Sequence, residues 1–400
     1  MRIALIDPSL FTWPYDAALA DGLEAAGHQV AIFGKVVGGP THPRHDRRLC
    51  QHFYGALERR PLAGLPGPLR MAAKGVSHVA GWARLADELQ ASGCDVAHFQ
   101  WTPLPVVDRW FLPGLRRRMP IVLTVHDSAP FNNAPGSSIQ QIGATQVLKV
   151  FDRVIVHTER GRRRLLQYGV GADRITRIAH GLLHGGATGL AGRAVAAPAD
   201  DGRLELLQFG QIKPYKGIDV LIRATALLPA ELRDRLRVRV VGKPYMDVRP
   251  LLDLARTLEV ERNFDFDFRH VAEAEIEPLF AGCHAVVMPY REIDASGVLM
   301  TALTFGRPVV ASAIGAFAEM LEDRRHGLLV PPDDPTSLAA AIAALITDPE
   351  RRRRMAAEVG RLVGSVPTWT AIAEQTVSLY RRALRERGVG QAARGLTGAA

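Results

Sequence analysis

The chain alternates short apolar runs with longer stretches of helical periodicity. The first run, Arg2–Asp7, is apolar between its charged ends and predicts a buried parallel strand. Residues Asp16 to Gly27 have helical spacing and end in glycine, and a second strand-like run follows at residues 28–34. This order predicts a strand, a helix and a second parallel strand at the start of the chain.

Three further apolar runs continue this alternation, at residues 96–100, 121–127 and 154–158. We therefore expect residues 1–190 to form one doubly wound parallel sheet covered by helices. The following stretch, residues 191–202, is rich in small residues and has no useful periodicity. It predicts a boundary between two domains.

A second series of strands and helices is predicted after this boundary, in residues 191–369. Its strands are expected at residues 204–210, 237–242, 263–268, 285–289 and 308–312. Leu328–Pro332 is expected to form a hairpin-like stop, and the chain is expected to close with a helix from about Thr370 to Arg387. We expect residues 370–400 to pack back on the first domain and to end in a flexible tail. Two α/β halves in tandem would face a central cleft at the carboxyl ends of their strands.

Composition agrees with a globular protein of two domains. The chain has 400 residues, of which 47% are hydrophobic and 23% charged, so disorder is excluded for its bulk. Charges interrupt each apolar run before the length that spans a bilayer, and Met1-Arg2 leads directly into a strand. We expect neither a transmembrane helix nor a signal peptide. Three scattered cysteines without metal or redox spacing favour a reducing cytoplasm.

Positive charge is concentrated in the first half of the chain. Residues 1–190 contain 22 basic and 14 acidic residues, a surplus of eight within a net charge of +9. Nucleic acids, anionic membranes and acidic substrates all attract such a surface, so charge alone does not choose among them. The Arg351–Arg354 run lies at a predicted helix start and is interpreted as a solvated face. No nucleic-acid motif accompanies it, and we expect no nucleic-acid partner.

A helix lying on a membrane is one interpretation of the stretch from Gly75 to Leu89. Arg59-Arg60 and Arg70–Lys74 precede this stretch, and its apolar positions fall near helical spacing, at Val76, Val79, Trp82 and Leu85. A core-facing helix with a basic outer face explains the same pattern. An anionic membrane, such as the inner face of the plasma membrane, is therefore one of two alternatives.

Two lysines follow a predicted strand that ends in Phe209-Gly210. They are Lys213 and Lys216, and a helix is predicted to begin after Gly217. Two cations facing the amino terminus of a helix suit a diphosphate, because both attract negative charge. Solvated loop lysines are the alternative for an isolated pair.

A second loop has a similar character. The predicted strand ending at Met288-Pro289 leads into the acidic loop Glu292–Asp294, and Ser296-Gly297 then opens a helix. Free backbone amides at the start of that helix, including the amide of Val298, would suit a phosphate. A serine cap on a core helix explains the same residues.

At these residues the sequence resembles the retaining glycosyltransferases of family four, which have the GT-B fold. The resemblance covers nearly the whole chain and rests on motifs in the family's order: Val125-His126-Asp127, His180-Gly181, Tyr215–Asp219, Ser296-Gly297, Phe305–Val310, Gly327–Pro331 and Trp369. It implies two Rossmann-like domains, with the acceptor bound by the first and a nucleotide sugar held mainly by the second. It further implies transfer of the sugar to a glycan, lipid-linked or small-molecule acceptor in polysaccharide or glycoconjugate biosynthesis. No metal or other cofactor is expected.

The resemblance also implies roles for individual residues. His126 matches the family's active-site histidine, which hydrogen-bonds the transferred sugar, and Lys216 matches its donor-loop lysine. Gln211 stands where the family has arginine, and Lys213 is expected to supply the missing cation. The remaining expected donor-binding residues are Gly210, Gly242, Ser296, Gly297 and Val298.

Two glutamates of the family are replaced in this chain. They fall at Ile293 and Thr301, so we expect Glu292 or Asp294 to face the reacting sugar and the Thr301 hydroxyl to face the ribose. In a retaining transfer, the lysines and helix amides would neutralise the leaving diphosphate, and the carboxylate would stabilise an oxocarbenium-like sugar.

Several alternatives stay open. Asp265-Phe266-Asp267 matches an Asp-x-Asp metal motif, although its strict alternation with phenylalanine is typical of a half-buried strand. A GT-B epimerase or phosphorylase would use a similar cleft, and the replaced glutamates are compatible with a non-catalytic subunit that binds a nucleotide sugar. A nicotinamide oxidoreductase is disfavoured, because no Gly-x-Gly-x-x-Gly follows a predicted strand.

Overall fold

The structure, a computed structural model, describes residues 1–35, 46–54, 67–128, 142–184, 198 and 202–397. Arg59-Arg60, the side chains of Arg70 and Met71, and the predicted boundary segment apart from residues 198 and 202 lie outside the described residues. The described residues divide into two compact units. The first unit holds those from Met1 to Gly181 and from Pro367 onward, and the second holds Leu182–Val366.

The first unit is built on a parallel sheet. Its strands are β1 Arg2–Asp7, β2 Gln29–Lys35, β3 Leu49–Phe53, β4 Val96–Phe99, β5 Ile121–Val125, β6 Arg153–Val156 and β7 Ile175–Arg177. Their order across the sheet is β3-β2-β1-β4-β5-β6-β7, and each neighbouring pair is parallel. The helices of this part of the chain are α1 Trp13–Ala25, α2 Gly67–Ala91, α3 Pro105–Arg118, α4 Ala144–Leu148 and α5 Glu159–Gln167. The order reverses direction between β1 and β4, which is where open α/β sheets bind ligands.

The second unit repeats this plan. Its strands are β8 Leu204–Phe209, β9 Leu236–Val241, β10 Phe264–Asp267, β11 Ala285–Met288, β12 Val309–Ser312 and β13 Gly327–Val330. They lie parallel in the order β10-β9-β8-β11-β12-β13. Its helices are α6 Ile218–Ala226, α7 Ala230–Arg233, α8 Arg249–Thr257, α9 Glu273–Ala281, α10 Gly297–Thr304, α11 Gly315–Met320, α12 Pro335–Thr347 and α13 Pro349–Val363. The central strands are buried and rich in valine and leucine, because helices cover both faces of a parallel sheet.

The last helix, α14 Trp369–Thr397, belongs to the first unit, although the whole second unit precedes it in the chain. Its apolar face is buried, and it packs closely on α1. The approach is tight at Gly22, where an added Cβ would lie 2.3 Å from the carbonyl oxygen of Trp369. Glycine at this position allows the two helix backbones to come together.

The observed strands depart from the predicted pattern at three places. Leu328–Pro332 was expected to form a hairpin-like stop, but Gly327–Val330 is strand β13, parallel to β12. The reason is burial, since Leu328 and Val330 pack in the core of the second unit. Strands β3 and β7 were not predicted, because β3 has polar positions within it and β7 spans only three residues.

Helix α2 has apolar side chains both in the core and at the surface, and the membrane interpretation of its sequence stays a prediction. Trp82, Leu85 and Leu89 are buried in the core of the first unit, whereas Val76 is 72% exposed and Val79 is 41% exposed. In the part of the chain that the structure describes, no helix is both long and apolar enough to span a membrane.

Two other charged segments are now placed. We expected the Arg351–Arg354 run to be a solvated face, but Arg352 is buried and donates to the carbonyl of Leu345. The Asp265-Phe266-Asp267 segment lies in β10, where Phe266 packs against the core. Its aspartates form ion pairs with arginines, Asp265 with Arg239 and Asp267 with Arg269.

Candidate functional site

Glycines shape the loops at the carboxyl ends of β8 and β9. Gly210 has a positive φ of 99°, and its amide donates to the carbonyl of Val241 at 3.0 Å. A Cβ on Gly242 would lie 2.0 Å from the carbonyl oxygen of Gly210. Gly217, at φ 66°, ends a short turn before α6, and a Cβ there would lie 2.0 Å from the carbonyl oxygen of Pro289. A side chain at Gly242 or Gly217 would collide with backbone, so glycine is required there.

Lys216 is the buried cation of this region. Only 4% of the residue is exposed, its Nζ donates to the carbonyl of Phe209 at 2.9 Å, and the same atom lies 4.9 Å from the centre of the Tyr290 ring. Burial, together with the nearby charge of Lys213, lowers the pKa of Lys216 to about 7. An anion bound beside it would raise this pKa again, because an opposite charge favours the charged form.

The other predicted donor-site residues surround Lys216 to different degrees. A Cβ on Gly210 would lie 2.9 Å from Lys216 Nζ and 3.3 Å from a methyl carbon of Val298, so these three residues meet. Lys213 is half-buried, and its Nζ lies 5.6 Å from the centre of the Tyr245 ring. Gln211 is half-buried in the same loop.

Arg291 joins the two predicted loops of the second unit, and sequence reasoning assigned it no role. Its guanidinium donates to both carboxylate oxygens of Asp219, at 2.9 and 2.6 Å, and to the carbonyl of Pro214 at 3.1 Å. Its Nε donates to Asp333 at 3.0 Å, and its backbone amide donates to the carbonyl of Tyr215 at 2.7 Å. Although burial opposes it, the Arg291 hydrogen bonds hold the pKa of Asp219 below its ordinary value. Arg291 therefore fastens the lysine loop to the loop after β11.

Ser296 and Thr301 are both engaged by helix α10. The Ser296 hydroxyl caps the helix by accepting from the amide of Leu299 at 3.2 Å. Thr301 is only 2% exposed, and its hydroxyl donates to the carbonyl of Gly297 at 2.8 Å. Threonine commonly makes this bond one turn back within a helix. The Thr301 hydroxyl therefore donates within its own helix, and only its oxygen is left to accept a hydrogen bond from a ribose; that it faces a ribose stays a prediction.

The two candidate carboxylates differ in burial. Asp294 is 3% exposed, and its carbonyl accepts from the amide of Ala316 at 2.8 Å, which ties it to the start of α11. Glu292 is half-buried on the same loop. Gly315 has a positive φ of 49°, and a Cβ there would lie 2.0 Å from the carbonyl oxygen of Ile293. The acidic loop is thus packed closely on α11.

In the first unit, His126 belongs to a group of four buried or half-buried histidines, called here the histidine cluster: His98, His126, His157 and His180. The ring of Tyr15 lies at its centre, 4.6 Å from the ring of His126, 5.3 Å from that of His157 and 5.1 Å from that of His180. Trp369 of the last helix lies 5.1 Å from the same tyrosine ring. His126 was predicted as a site residue and His180 as part of a family motif, whereas no role was predicted for His98 or His157.

Hydrogen bonds link the histidine cluster into a chain. His126 Nε2 lies 3.2 Å from Gln100 Oε1, and His126 Nδ1 lies 3.3 Å from His157 Nε2. His157 Nδ1 lies 2.9 Å from the carbonyl oxygen of Ile178. Burial lowers the pKa of His157 to about 4, that of His98 and His180 to about 3, and that of His126 well below its ordinary value. All four rings are therefore neutral at pH 7.

Two buried carboxyl groups lie beside this cluster. Asp7, at the end of β1, accepts hydrogen bonds from the amides and hydroxyls of Ser9 and Thr12. Asp16 accepts from the Thr12 hydroxyl at 3.0 Å, and its other carboxylate oxygen has no hydrogen-bond partner among the described residues. Burial raises the pKa of both groups, and the charge of Asp7 raises that of Asp16 further. Asp7 marks a strand end in the sequence, whereas nothing in the helical pattern distinguished Asp16.

Comparison with protein families gives two matches that together cover most of the chain. Residues 17–182 match the family model described as Glycosyltransferase Family 4, and residues 195–360 match the one described as Glycosyl transferases group 1. The two matched ranges follow the two structural units.

Similar proteins and structures agree with these matches. A D-inositol 3-phosphate glycosyltransferase of Kineococcus radiotolerans is 32% identical over 93% of this chain and 90% of its own length. The structure of sucrose-phosphate synthase from Thermosynechococcus elongatus has a TM-score of 0.72 at 20% identity, covering 96% of this chain and 98% of that one. HepE of Anabaena in complex with UDP and glucose has a TM-score of 0.69 at 20% identity, covering 94% and 98%. The two structural matches establish the fold.

Proposed function

Because this chain belongs to glycosyltransferase family 4, whose members transfer a sugar from a nucleotide sugar, we propose that its donor is a uridine diphosphate sugar and its acceptor bears phosphate. The observation that carries the donor part is the buried Lys216 beside bare glycine backbone. The UDP-bound structural relative supports uridine as the base, and the name of the relative from Kineococcus supports a phosphate-bearing acceptor.

The lysine loop supplies the positive charge that the departing diphosphate needs. Lys216 is desolvated and Lys213 is half-buried nearby. A preorganised cation in a water-poor site stabilises developing negative charge more strongly than one in bulk water. In this reaction the two lysines and the amides at the start of α10 neutralise the charge of the leaving diphosphate, without a metal ion.

The remaining proposed roles concern the reacting sugar. His126 hydrogen-bonds the sugar, and Asp294 or Glu292 stabilises positive charge on its ring. Retention of configuration follows if the leaving phosphate accepts the proton of the acceptor hydroxyl on the same face. No strong protein base is then required, which suits a site whose histidine is neutral at pH 7.

Ligand-dependent thermal unfolding tests the donor site. A nucleotide that binds only the folded state raises the melting temperature, by several degrees at about 100 times its dissociation constant. We expect UDP and UDP-sugars to give this shift, Lys216→Ala to abolish it, and Lys149→Ala, which removes an exposed lysine of the first unit, to retain it. A shift with another nucleoside diphosphate alone would refute uridine, and no shift with any of them would refute the donor site.

We also propose that the acceptor can be lipid-linked and that the first unit meets an anionic membrane. Exposed apolar side chains support this: Leu69, Val76 and Val79 on α2, and Trp110, 73% exposed, on α3. The two helices are neighbours, since Trp82 of α2 stacks on Phe111 of α3 at 5.6 Å. The basic surplus of the first half of the chain would add electrostatic attraction.

A further inference from the structure

We propose that His157 is a positioning residue that fixes the proton of His126 on Nδ1 and leaves its Nε2 as a hydrogen-bond acceptor. This inference concerns the histidine cluster itself, and its catalytic meaning rests on the proposed role of His126. It rests on the contacts of His157 with the Ile178 carbonyl, of His126 with His157, and of His126 with Gln100.

Sheet register brings the groups together. Val125 pairs with Val156 and Val156 with Arg177 across the parallel strands β5, β6 and β7. The residues that directly follow β5, β6 and β7 are His126, His157 and Ile178, respectively. These three residues therefore lie side by side at the carboxyl edge of the sheet. A sequence gap of more than twenty residues separates each from the next.

The direction of the hydrogen bonds starts at the Ile178 carbonyl. A carbonyl oxygen only accepts, so His157 Nδ1, 2.9 Å away, carries the proton. A neutral imidazole has one N–H, so His157 Nε2 is a bare acceptor. His126 Nδ1, 3.3 Å from that atom, must then be the donor, and His126 Nε2 is left without a proton.

Neutrality of both rings is required by this argument and follows from their surroundings. Burial is the main cause that lowers the pKa of each ring, and the neighbouring histidines lower it further. The side chains in ring or hydrogen-bond contact with them include Tyr15, His180 and Gln100, which carry no carboxylate. The nearby carboxyl groups of Asp7 and Asp16 are not among the causes that shift either histidine pKa, and burial raises their own pKa values. An imidazolium at His126 would instead donate from both nitrogens.

The same direction continues on the other side of His126. In the structure Gln100 Oε1 lies 3.2 Å from His126 Nε2, and Gln100 Nε2 lies 3.5 Å from His98 Nε2. Because only hydrogen bonding distinguishes the oxygen of an amide from its nitrogen, an unprotonated His126 Nε2 requires the Gln100 amide to be turned over, with its NH2 group toward His126 and its oxygen toward His98. His98 Nε2 is consequently the protonated atom, and it donates to the Thr124 hydroxyl at 2.8 Å. His98 Nδ1 accepts from the Tyr380 hydroxyl at 2.5 Å. With the Gln100 amide in this orientation, each donor in the hydrogen-bond chain from Ile178 to Tyr380 faces an acceptor.

Histidine NMR of the full chain measures the proton position directly. Two-bond nitrogen–carbon-proton correlations distinguish a ring protonated on Nδ1, one protonated on Nε2, and an imidazolium, and His126→Gln identifies the signals of His126. We expect the Nδ1 form for His126 in the wild-type protein at pH 7. The Nε2 form or an imidazolium would overturn the proposal without any variant of His157.

Variants of His157 test the cause. His157→Leu removes the acceptor and should shift His126 toward the Nε2 form, whereas His157→Gln can place an oxygen where His157 Nε2 lies and should keep the Nδ1 form. His52→Leu is the matched control, because His52 is also buried in the first unit and bonds to a backbone carbonyl, that of Gly81 at 2.8 Å. It should lower stability and leave the His126 pattern unchanged. An unchanged pattern in His157→Leu would refute the positioning role.

Kinetics connect the proton position to the reaction. We expect His157→Leu to lower kcat by roughly 10- to 100-fold with little change in the donor KM, the same order as when the hydrogen-bond partner of a metal-binding histidine is removed, and His157→Gln to restore most of it. A shifted His126 proton with unchanged kcat would refute positioning for catalysis. Absence of turnover in the wild type would refute the proposed function, while the NMR pattern would still decide where the proton lies.

Discussion

At the scale of single residues, burial changes the chemistry of several ionisable groups whose sequence context is unremarkable. Asp16 lies in the first turn of α1 and is fully buried, with one carboxylate oxygen unpartnered among the described residues. Burial is the largest cause that raises its pKa above the ordinary 3.8. Between pH 3.8 and its folded pKa, Asp16 therefore holds a proton in the folded protein that it releases in the unfolded chain.

This shift predicts how stability depends on pH. The folded pKa of Asp16 is the higher one, so its contribution is complete below pH 3.8 and is lost as pH rises from there toward the folded pKa. Asp16→Asn keeps a neutral acceptor for Thr12 and removes the ionisation. We expect its free energy of unfolding in urea to be equal or higher at pH 7 and to fall less steeply above pH 4 than in the wild type.

A second aspartate serves as the control for this experiment. Asp173→Asn alters an exposed carboxylate of the same unit and should leave the pH dependence unchanged. If Asp16→Asn lost stability at pH 7 while keeping the wild-type slope, the carboxylate would be ionised and satisfied in the folded protein.

Residues also differ in how far the sequence could reveal them. Lys216 and His126 could be singled out because each follows an apolar run and belongs to a motif of the family. His157 also stands at the end of an apolar run, yet it belongs to none of the family's motifs. The Thr301 hydroxyl was expected to face a ribose, and in the structure it donates to a carbonyl of its own helix. Hydrogen-bond partners such as the Ile178 carbonyl are set by strand register, which a single sequence does not display.

At the scale of elements, the donor loops are held by a side chain rather than by secondary structure. Arg291 bonds to Asp219 in the first turn of α6 and to the carbonyl of Pro214. We expect Arg291→Lys to weaken UDP binding by about tenfold, because lysine keeps the charge but cannot make these bonds at once. Arg291→Gln should weaken it at least as much. Calorimetric titration with UDP measures both.

Arg249 provides the control for the Arg291 variants. It forms a similar bidentate pair with Asp247, but on an exposed segment, so Arg249→Gln should leave the UDP affinity unchanged. If Arg291→Lys lowered the melting temperature and bound UDP with wild-type affinity, Arg291 would stabilise the fold without positioning the lysine loop.

The elements themselves were largely predictable from local pattern. The short apolar runs predicted most strands of both sheets within one or two residues of their observed ends. Strand β13 was misread because Pro331-Pro332 marks a stop without saying whether the preceding segment turns back or pairs with the sheet edge. Pairing of β13 with β12 depends on a core that the local sequence does not contain.

At the scale of the whole molecule, the uneven charge of the chain gives the membrane proposal a quantitative test. We expect co-sedimentation with vesicles that contain anionic lipid, weakening as salt rises because screening shortens the reach of the basic surface. Val76→Glu combined with Trp110→Glu should abolish it by placing charge among the exposed apolar side chains. Leu227→Glu, at an exposed leucine of the second unit, should not. Absence of wild-type binding at low salt would contradict the proposal.

The return of the chain to the first unit is also a property of the whole molecule. Helix α14 buries Ile372, Val377 and Tyr380, and the Tyr380 hydroxyl reaches His98 on β4. These contacts connect the end of the chain to the histidine cluster across 282 residues.

The sequence by itself determined the fold class, the repetition of one α/β plan and the family, because short apolar runs, helical periodicity and glycine at tight turns are local consequences of burial and backbone geometry. Only the tertiary structure decided which side chains share a site. Arg291 with Asp219, and His126 with His157 and Ile178, meet because parallel strands place distant residues at one sheet edge. The same burial sets the pKa of Lys216 and the neutral state of the histidines, since removal of water acts on the folded molecule and not on the residue type.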